Sequence, residues 1–181
     1  MDRGKDRRKC RSFFILSGES STLPAAELKA LVETYSSQTN ILQYDNRLFV
    51  IEGDVDVEKI SRRGAYIRAG GILLGNFQNF DIDSKDPDIG LDKIKTRFRT
   101  FAAKRYTIIN NNKSYGLEEK VGRIIKKEYP ETKADLKNPE ILFIIVEHKE
   151  GIIIGYCNEK IQEKRMNLKM VTITKTRKFP L

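Results

Sequence analysis

An α+β fold is predicted by three features of this 181-residue chain. Short apolar runs closed by Gly, Asn, Asp or Ser read as strands, and apolar residues at three- and four-residue spacing mark helices between them. Over residues 12–75 these elements follow the order β-α-β-β-α-β, the ferredoxin-like split unit. A composition of 39% hydrophobic and 33% charged residues supports a buried core beneath a charged surface, and the length suits one ordinary domain or two small ones.

Residues 12–16 form an apolar run stopped by Ser17-Gly18 and predict a buried strand. In the helix that follows, Pro24 fits the first turn, Ser21 or Thr22 supplies a capping hydroxyl, and Leu28, Leu31, Val32 and Tyr35 make one apolar face. Residues 41–44 and 48–51 are two strands with Asp45-Asn46 as their tight turn. A second short helix is expected over 57–63. A last strand is expected over 65–74, with Gly70-Gly71 marking a bulge or a close backbone approach. Residues 76–90 are polar, acidic and turn-rich, and read as a linker or a lid between units.

A second unit is expected over residues 91–160. It opens with a helical turn at 91–95 and a strand at 97–102 that sets basic residues beside aromatics. Residues 110–114 form a loop. Leu117, Val121, Ile124 and Ile125 are the apolar stripe of a helix that Pro130 stops near Tyr129, with Lys120, Arg123, Lys126 and Lys127 read as its wet face. Residues 136–139 turn the chain into a strand at 141–146. A second strand at 152–156 returns after the turn at 149–151, giving a hairpin buried on at least one face.

The charge is +9 and unevenly placed. Residues 1–11 hold six basic residues against Asp2 and Asp6, residues 160–181 hold seven against Glu163, and the body between is nearly neutral. Basic arms of this kind are either solvated tails or contacts for a polyanion, where each neutralised phosphate releases counterions. No apolar run approaches the roughly 20 residues that span a bilayer, and neither arm has an apolar face to lie on one; the expectation is a cytoplasmic protein without a membrane partner. Two cysteines and one histidine, without a CxxC pair, do not make a zinc site or a disulfide framework, so no metal is expected.

Individual motifs carry little catalytic chemistry. Gly70-Gly71 lacks both the GxGxxG spacing and the GK[ST] ending of phosphate loops. Asn138-Pro139-Glu140-Ile141 has an acidic third and an aliphatic fourth position and reads as a turn into a strand. Asn112-Lys113-Ser114 matches a glycosylation sequon without a secretory signal. His148 is read as a surface residue, and no nucleophile, base and acid can be grouped around it. No catalytic residue is assigned. Arg97, Arg99, Lys104 and Arg105, with the aromatic neighbours Phe98, Phe101 and Tyr106 and the basic helix that follows, instead make a candidate RNA surface: cations for phosphates and rings for unpaired bases. The competing reading of the rings is burial in the core.

Two stretches resemble a known family. Residues 14–31, FILSGESSTLPAAELKAL, are similar to the opening of archaeal tRNA guanine-N2 methyltransferases that modify the guanosine at position ten. Residues 115–125 (YGLEEKVGRII), 134–141 (ADLKNPEI) and Gly155-Tyr156 resemble the THUMP domain that follows in such enzymes; Asp-Leu-Lys-Asn-Pro after a Glu-rich helix is shared by several RNA-modifying families. With the connecting residues, the likeness covers nearly the whole chain. It implies a basic arm (1–11), a ferredoxin-like domain (12–75), a linker (76–90), a THUMP domain (91–160) and a basic linker (161–181) toward a methyltransferase domain. That catalytic domain, with its glycine-rich S-adenosylmethionine loop, has no counterpart before Leu181. The chain is therefore expected to be an N-terminal fragment or a split subunit, inactive alone and needing no cofactor itself.

The resemblance further implies that the two units grasp the tRNA acceptor stem and its 3′ tail and place the target for the catalytic domain, in cis or as a separate subunit. The RNA-binding residues expected here are Arg97, Arg99, Lys104, Arg105, Lys113, Lys120, Arg123, Lys137 and Asn138. The asparagine run between Lys104 and Tyr115 departs from the family pattern. Two alternatives stay open: the same module from a tRNA thiouridine synthase, against which the first stretch argues, and an adaptor whose basic ends contact an acidic protein.

Overall fold

The computed structural model describes residues 11–36, 38–78, 80, 86–108 and 116–158. The first half runs β1 (Arg11–Leu16), α1 (Leu23–Tyr35), β2 (Asn40–Asp45), β3 (Leu48–Glu52), α2 (Val57–Arg63) and β4 (Ile67–Phe77). The second runs through a 3₁₀ turn (Leu91–Lys93), β5 (Thr100–Thr107), α3 (Leu117–Glu128), β6 (Lys133–Ala134), β7 (Ile141–His148) and β8 (Gly151–Asn158).

The order of elements follows the apolar spacing, and the differences are local. Neither Ser21 nor Thr22 caps α1; the hydroxyl of Ser20 accepts the N–H groups of Thr22 and Leu23, each at 3.4 Å, one residue earlier than the pattern implies. The β2–β3 turn centres on Asn46-Arg47 rather than Asp45-Asn46, because Asp45 pairs with Leu48 and its carboxylate accepts the Arg47 N–H at 3.3 Å. β4 starts at Ile67 rather than 65, and β5 starts at Thr100 rather than 97. The short strand β6 has too little sequence to carry a periodic signal.

The described strands form a single sheet in the order β2-β3-β1-β4-β8-β7-β5-β6, antiparallel except where β5 pairs with β6 and β7. β4 joins the halves: residues 67–72 pair with β1 and residues 72–77 with β8. Ser12 and Tyr156 thus flank Ile72 from opposite sides, and the described body is entered and left beside that residue.

All three described helices cover one face. α1 and α2 bury Leu28, Val32, Val57 and Ile60 on Phe14, Leu16, Phe49 and Ile51. α3 buries Leu117, Val121, Ile124 and Ile125 on Phe101, Phe143, Ile145 and Ile154. Among the described residues the other face has no helix, and it coils upon itself: Phe13, Ile15, Val50, Leu73, Ile144, Val146 and Ile153 share one core. Arg47, in the β2–β3 turn, donates to the carbonyl of Ile108, just past β5, at 3.4 Å. This coiling explains Gly71 and Gly155. A Cβ on Gly155 would stand 2.3 Å from Phe13 Cε1 and 2.5 Å from the Ile72 carbonyl oxygen, and one on Gly71 would stand 2.3 Å from the Tyr156 oxygen. Of the two roles read for Gly70-Gly71, close approach is the one present, since the irregularities in β4 pairing fall elsewhere.

Candidate nucleic-acid interface

The segment preceding β5 alternates outward and inward. Phe98 is buried against Phe101, Phe143 and Tyr129, with ring centroids 6.5, 6.1 and 5.0 Å away. An anchored ring forces its neighbours Arg97 and Arg99 toward solvent, and both are exposed. The segment forms a ridge between two concavities. One, about 550 Å³, has Val57, Ile72, Tyr156 and Ile141 in its lining and Arg97, Arg99, Glu58 and Asn158 among its polar groups. The other, about 780 Å³, lies against Lys95, Tyr129 and Glu131.

Arg99, with a side chain 91% exposed, is tied at one point. Glu140 accepts its backbone N–H at 2.6 Å and its Nε at 3.1 Å, while the Glu140 N–H donates to Thr100 Oγ1 at 3.0 Å. The donated Arg99 amide, aided by the guanidinium, lowers the Glu140 pKa. Beside it, Asp135 Oδ1 accepts the N–H groups of Lys137 and Asn138 at 2.9 and 3.0 Å, which lowers the Asp135 pKa. This Asx turn leaves the Lys137 and Asn138 side chains exposed. β6 fixes the turn to β5, with Lys133 N–H donating to Arg99 O and Asp135 N–H to Phe101 O, both at 2.8 Å. Arg99 is therefore tied to the turn that carries Lys137 and Asn138, and Arg97 lies two residues before it on the ridge.

The other expected residues are dispersed. Lys104 is exposed on the sheet face away from α3, with its ammonium 5.2 Å from the Tyr106 ring centroid, and Arg123 is exposed on the outside of α3. Lys113 lies outside the described residues. Two expectations of exposure are corrected. Lys120 is 1% exposed, its ammonium 5.5 Å from the Phe80 ring centroid, because it borders the apolar stripe of α3. Arg105 is turned inward, 18% exposed, with Nη1 3.3 Å from Glu147 and Nε 4.0 Å from Glu118. Lys126 and Lys127 are exposed as read. Lys126 donates to the carbonyls of Pro130 and Thr132, and Lys127 pairs with Asp86 at 3.3 Å.

Phe98 and Phe101 are core residues and offer no free face for stacking; Tyr106 is half-buried. His148, expected at the surface, is 3% exposed, because β7 continues through it and its ring meets Tyr44 edge-on at 5.2 Å. Its Nδ1 accepts the Glu150 N–H at 3.4 Å, and Nε2 has no hydrogen-bond partner among the described residues. Burial pushes the imidazole pKa down against the smaller opposing pull of Glu150 and Asp45. Burial likewise pushes Glu147 up, outweighing the attraction of Arg105.

Sequence reading missed Lys95 and Lys133, exposed beside the same ridge, and Glu140, whose partner is 41 residues away. Lys95 was findable from its closeness to Arg97; the other two depend on β5–β6 pairing and the long-range clasp. Among the described residues no three His, Cys, Asp or Glu side chains gather to hold a metal, and no helix is long and apolar enough to cross a membrane. The turn entering α1 has one glycine, Gly18, with its amides facing Ser20, and the α2 entry is closed by Asp56 accepting from Lys59 N–H at 2.9 Å. Neither fits the glycine-rich cradle of an S-adenosylmethionine site.

No protein-family model matches the sequence, and no curated protein matches it. Solved structures do. The 4-thiouridine synthetase solved as an RNA complex with bound ATP has 16% identity and a TM-score of 0.52, over 82% of this chain and 41% of that one. TrmN from Thermus thermophilus has 14% identity and a TM-score of 0.52, over 81% and 45%. SMU.472, complexed with SAH, has 13% identity and a TM-score of 0.54, over 82% and 41%. The chain shares their fold. It spans less than half the length of each of the three.

Proposed function

We propose that the chain is a tRNA-binding module, with a ferredoxin-like domain over 12–75 joined by the linker 76–90 to a THUMP domain over 91–160. The antiparallel order β2-β3-β1-β4 with two helices on one face supports the first assignment. The mixed β5–β8 layer under α3, with Asp-Leu-Lys-Asn-Pro forming the Asx turn, supports the second. The observation that carries the reading is the exposed group Arg97, Arg99, Lys137 and Asn138. Its arginines border a groove lined by Ile72, whose strand neighbours Ser12 and Tyr156 stand near the two ends of the described body; the basic segments 1–10 and 160–181 lie outside the described residues.

In this reading the module holds the acceptor stem and 3′ tail of a tRNA in the cytoplasm. A catalytic domain outside this chain, in cis or as a separate subunit, uses S-adenosylmethionine to methylate a guanine N2. Cations fix the register of the phosphate backbone, and the chemistry is done elsewhere. A second reading, the same module of a thiouridine synthase, is favoured by the likeness to the 4-thiouridine synthetase solved with RNA.

The test is a titration of the full chain with whole tRNA and with tRNA trimmed of its 3′ tail across a salt series. Tail-dependent binding that weakens with salt is expected. Absence of binding at low salt overturns the reading and favours a protein-contact adaptor. Methyl transfer by the pure chain supplied with S-adenosylmethionine would overturn the division of labour.

A further inference from the structure

Leu136 is 82% exposed in the turn that carries the exposed Lys137 and Asn138. Its exposure is built in rather than accidental. The preceding residue is fixed by Asp135 N–H to Phe101 O, and Asp135 Oδ1 gathers the next two amides. Pro139 is buried, and Glu140 is clasped to Arg99 and Thr100. A leucine at a pinned tip keeps an apolar side chain in water without the freedom to fold it away, which lowers the ordering cost of any partner that covers it. The surroundings select that partner: Arg99 and Lys133, tied to the same turn, and Lys137 would meet phosphates, and an apolar tip beside phosphate-binding groups suits the face of an unstacked base.

Resting on the tRNA-binding reading, we propose that Leu136 is a positioning residue that packs against an unpaired nucleobase of the RNA 3′ tail, with Arg99 and Lys137 on the adjoining phosphates.

The probe is tRNA carrying 2-aminopurine in its 3′ tail, titrated with the full chain and compared with tRNA lacking the tail. Leu136→Ala is expected to weaken binding of the tailed RNA about fivefold to tenfold, as loss of an apolar contact without loss of charge. It should leave the salt slope and the trimmed-RNA affinity unchanged and remove the fluorescence change of the probe. Leu136→Met, which keeps the apolar reach, should restore both. Thermal melting of the variants should match the wild type, since the side chain is exposed. If Leu136→Ala binds tailed RNA like the wild type while Lys137→Ala weakens it, the contact is wrong and the RNA reading stands. If the wild type binds no tRNA, both fall.

Discussion

The inward turn of Arg105 separates it from the neighbouring cations in a way that solution measurements can resolve. Arg97, Arg99 and Lys137 reach solvent, so their removal together should take away about three phosphate contacts. At roughly 0.7 to 0.9 per contact, the slope of log affinity against log salt should become shallower by about 2 to 3. Between 50 and 200 mM salt, the triple variant should then lose roughly 20- to 60-fold less affinity than the wild type. Arg105→Ala should leave that slope unchanged. Its cost lies in folding: Glu147 is buried and keeps Arg105 as a close partner at 3.3 Å, so truncation strands a carboxylate in an apolar setting. Breaking a buried pair from one side costs about 3 to 5 kcal/mol, and the partial exposure of Arg105 brings the expectation to about 2 to 3 kcal/mol. For a chain of this length that is a melting temperature lower by roughly 5 to 10 °C. Salt-series titrations with tRNA and calorimetric melts read the two effects separately. A shallower salt slope for Arg105→Ala with an unchanged melting temperature would show that Arg105 faces the RNA and that the pairing with Glu147 is not its role.

Two further substitutions test the coiled sheet. Gly155→Ala should cost about 3 kcal/mol, near the upper end for overpacking, because the new Cβ meets the Ile72 backbone oxygen as well as the Phe13 ring; a melting temperature within 2 °C (about 1 kcal/mol) of wild type would refute the close approach. Gly122→Ala in α3, where nothing lies within 4 Å, should instead stabilise by up to about 1 kcal/mol through helix propensity. His148 supplies a pH dependence. Its folded pKa lies below the usual imidazole value near ~6.5, so the unfolded chain binds the extra proton more readily. Its contribution is therefore fully present above about 6.5 and falls as pH drops from there toward the folded value. Melting temperatures between pH 5 and 8 should show this slope in the wild type and a flatter one in His148→Phe; equal slopes would remove His148 as the cause.

Much of this molecule is written locally. The 3.6-residue spacing of Leu28, Val32 and Tyr35, and of Leu117, Val121 and Ile125, set both long helices, and Pro130 ended α3 as its missing N–H requires. Among the eight described strands, short apolar runs mark β1 to β4, β7 and β8, while β5 is expected three residues early from basic residues beside aromatics and β6 carries no signal. The exposure of individual cations is a different kind of quantity. Lys120 and Arg123 are three residues apart on one helix, yet Phe80 arrives over the first and leaves the second bare. Arg99 and Arg105 lie on one segment, yet Glu140 holds the first at the rim while Glu147 draws the second inward.

Spacing along the chain alone thus determined the elements, their order and a surplus of positive charge at both extremities. The tertiary structure decided that β4 serves two neighbours, that the sheet face without a described helix closes on itself, and that Arg99 is tied to the turn carrying Leu136 and Lys137. The reason is range: periodicity is imposed by bonds between residues a few positions apart, whereas burial of a charge depends on partners about 40 positions away, which only the completed sheet brings within reach.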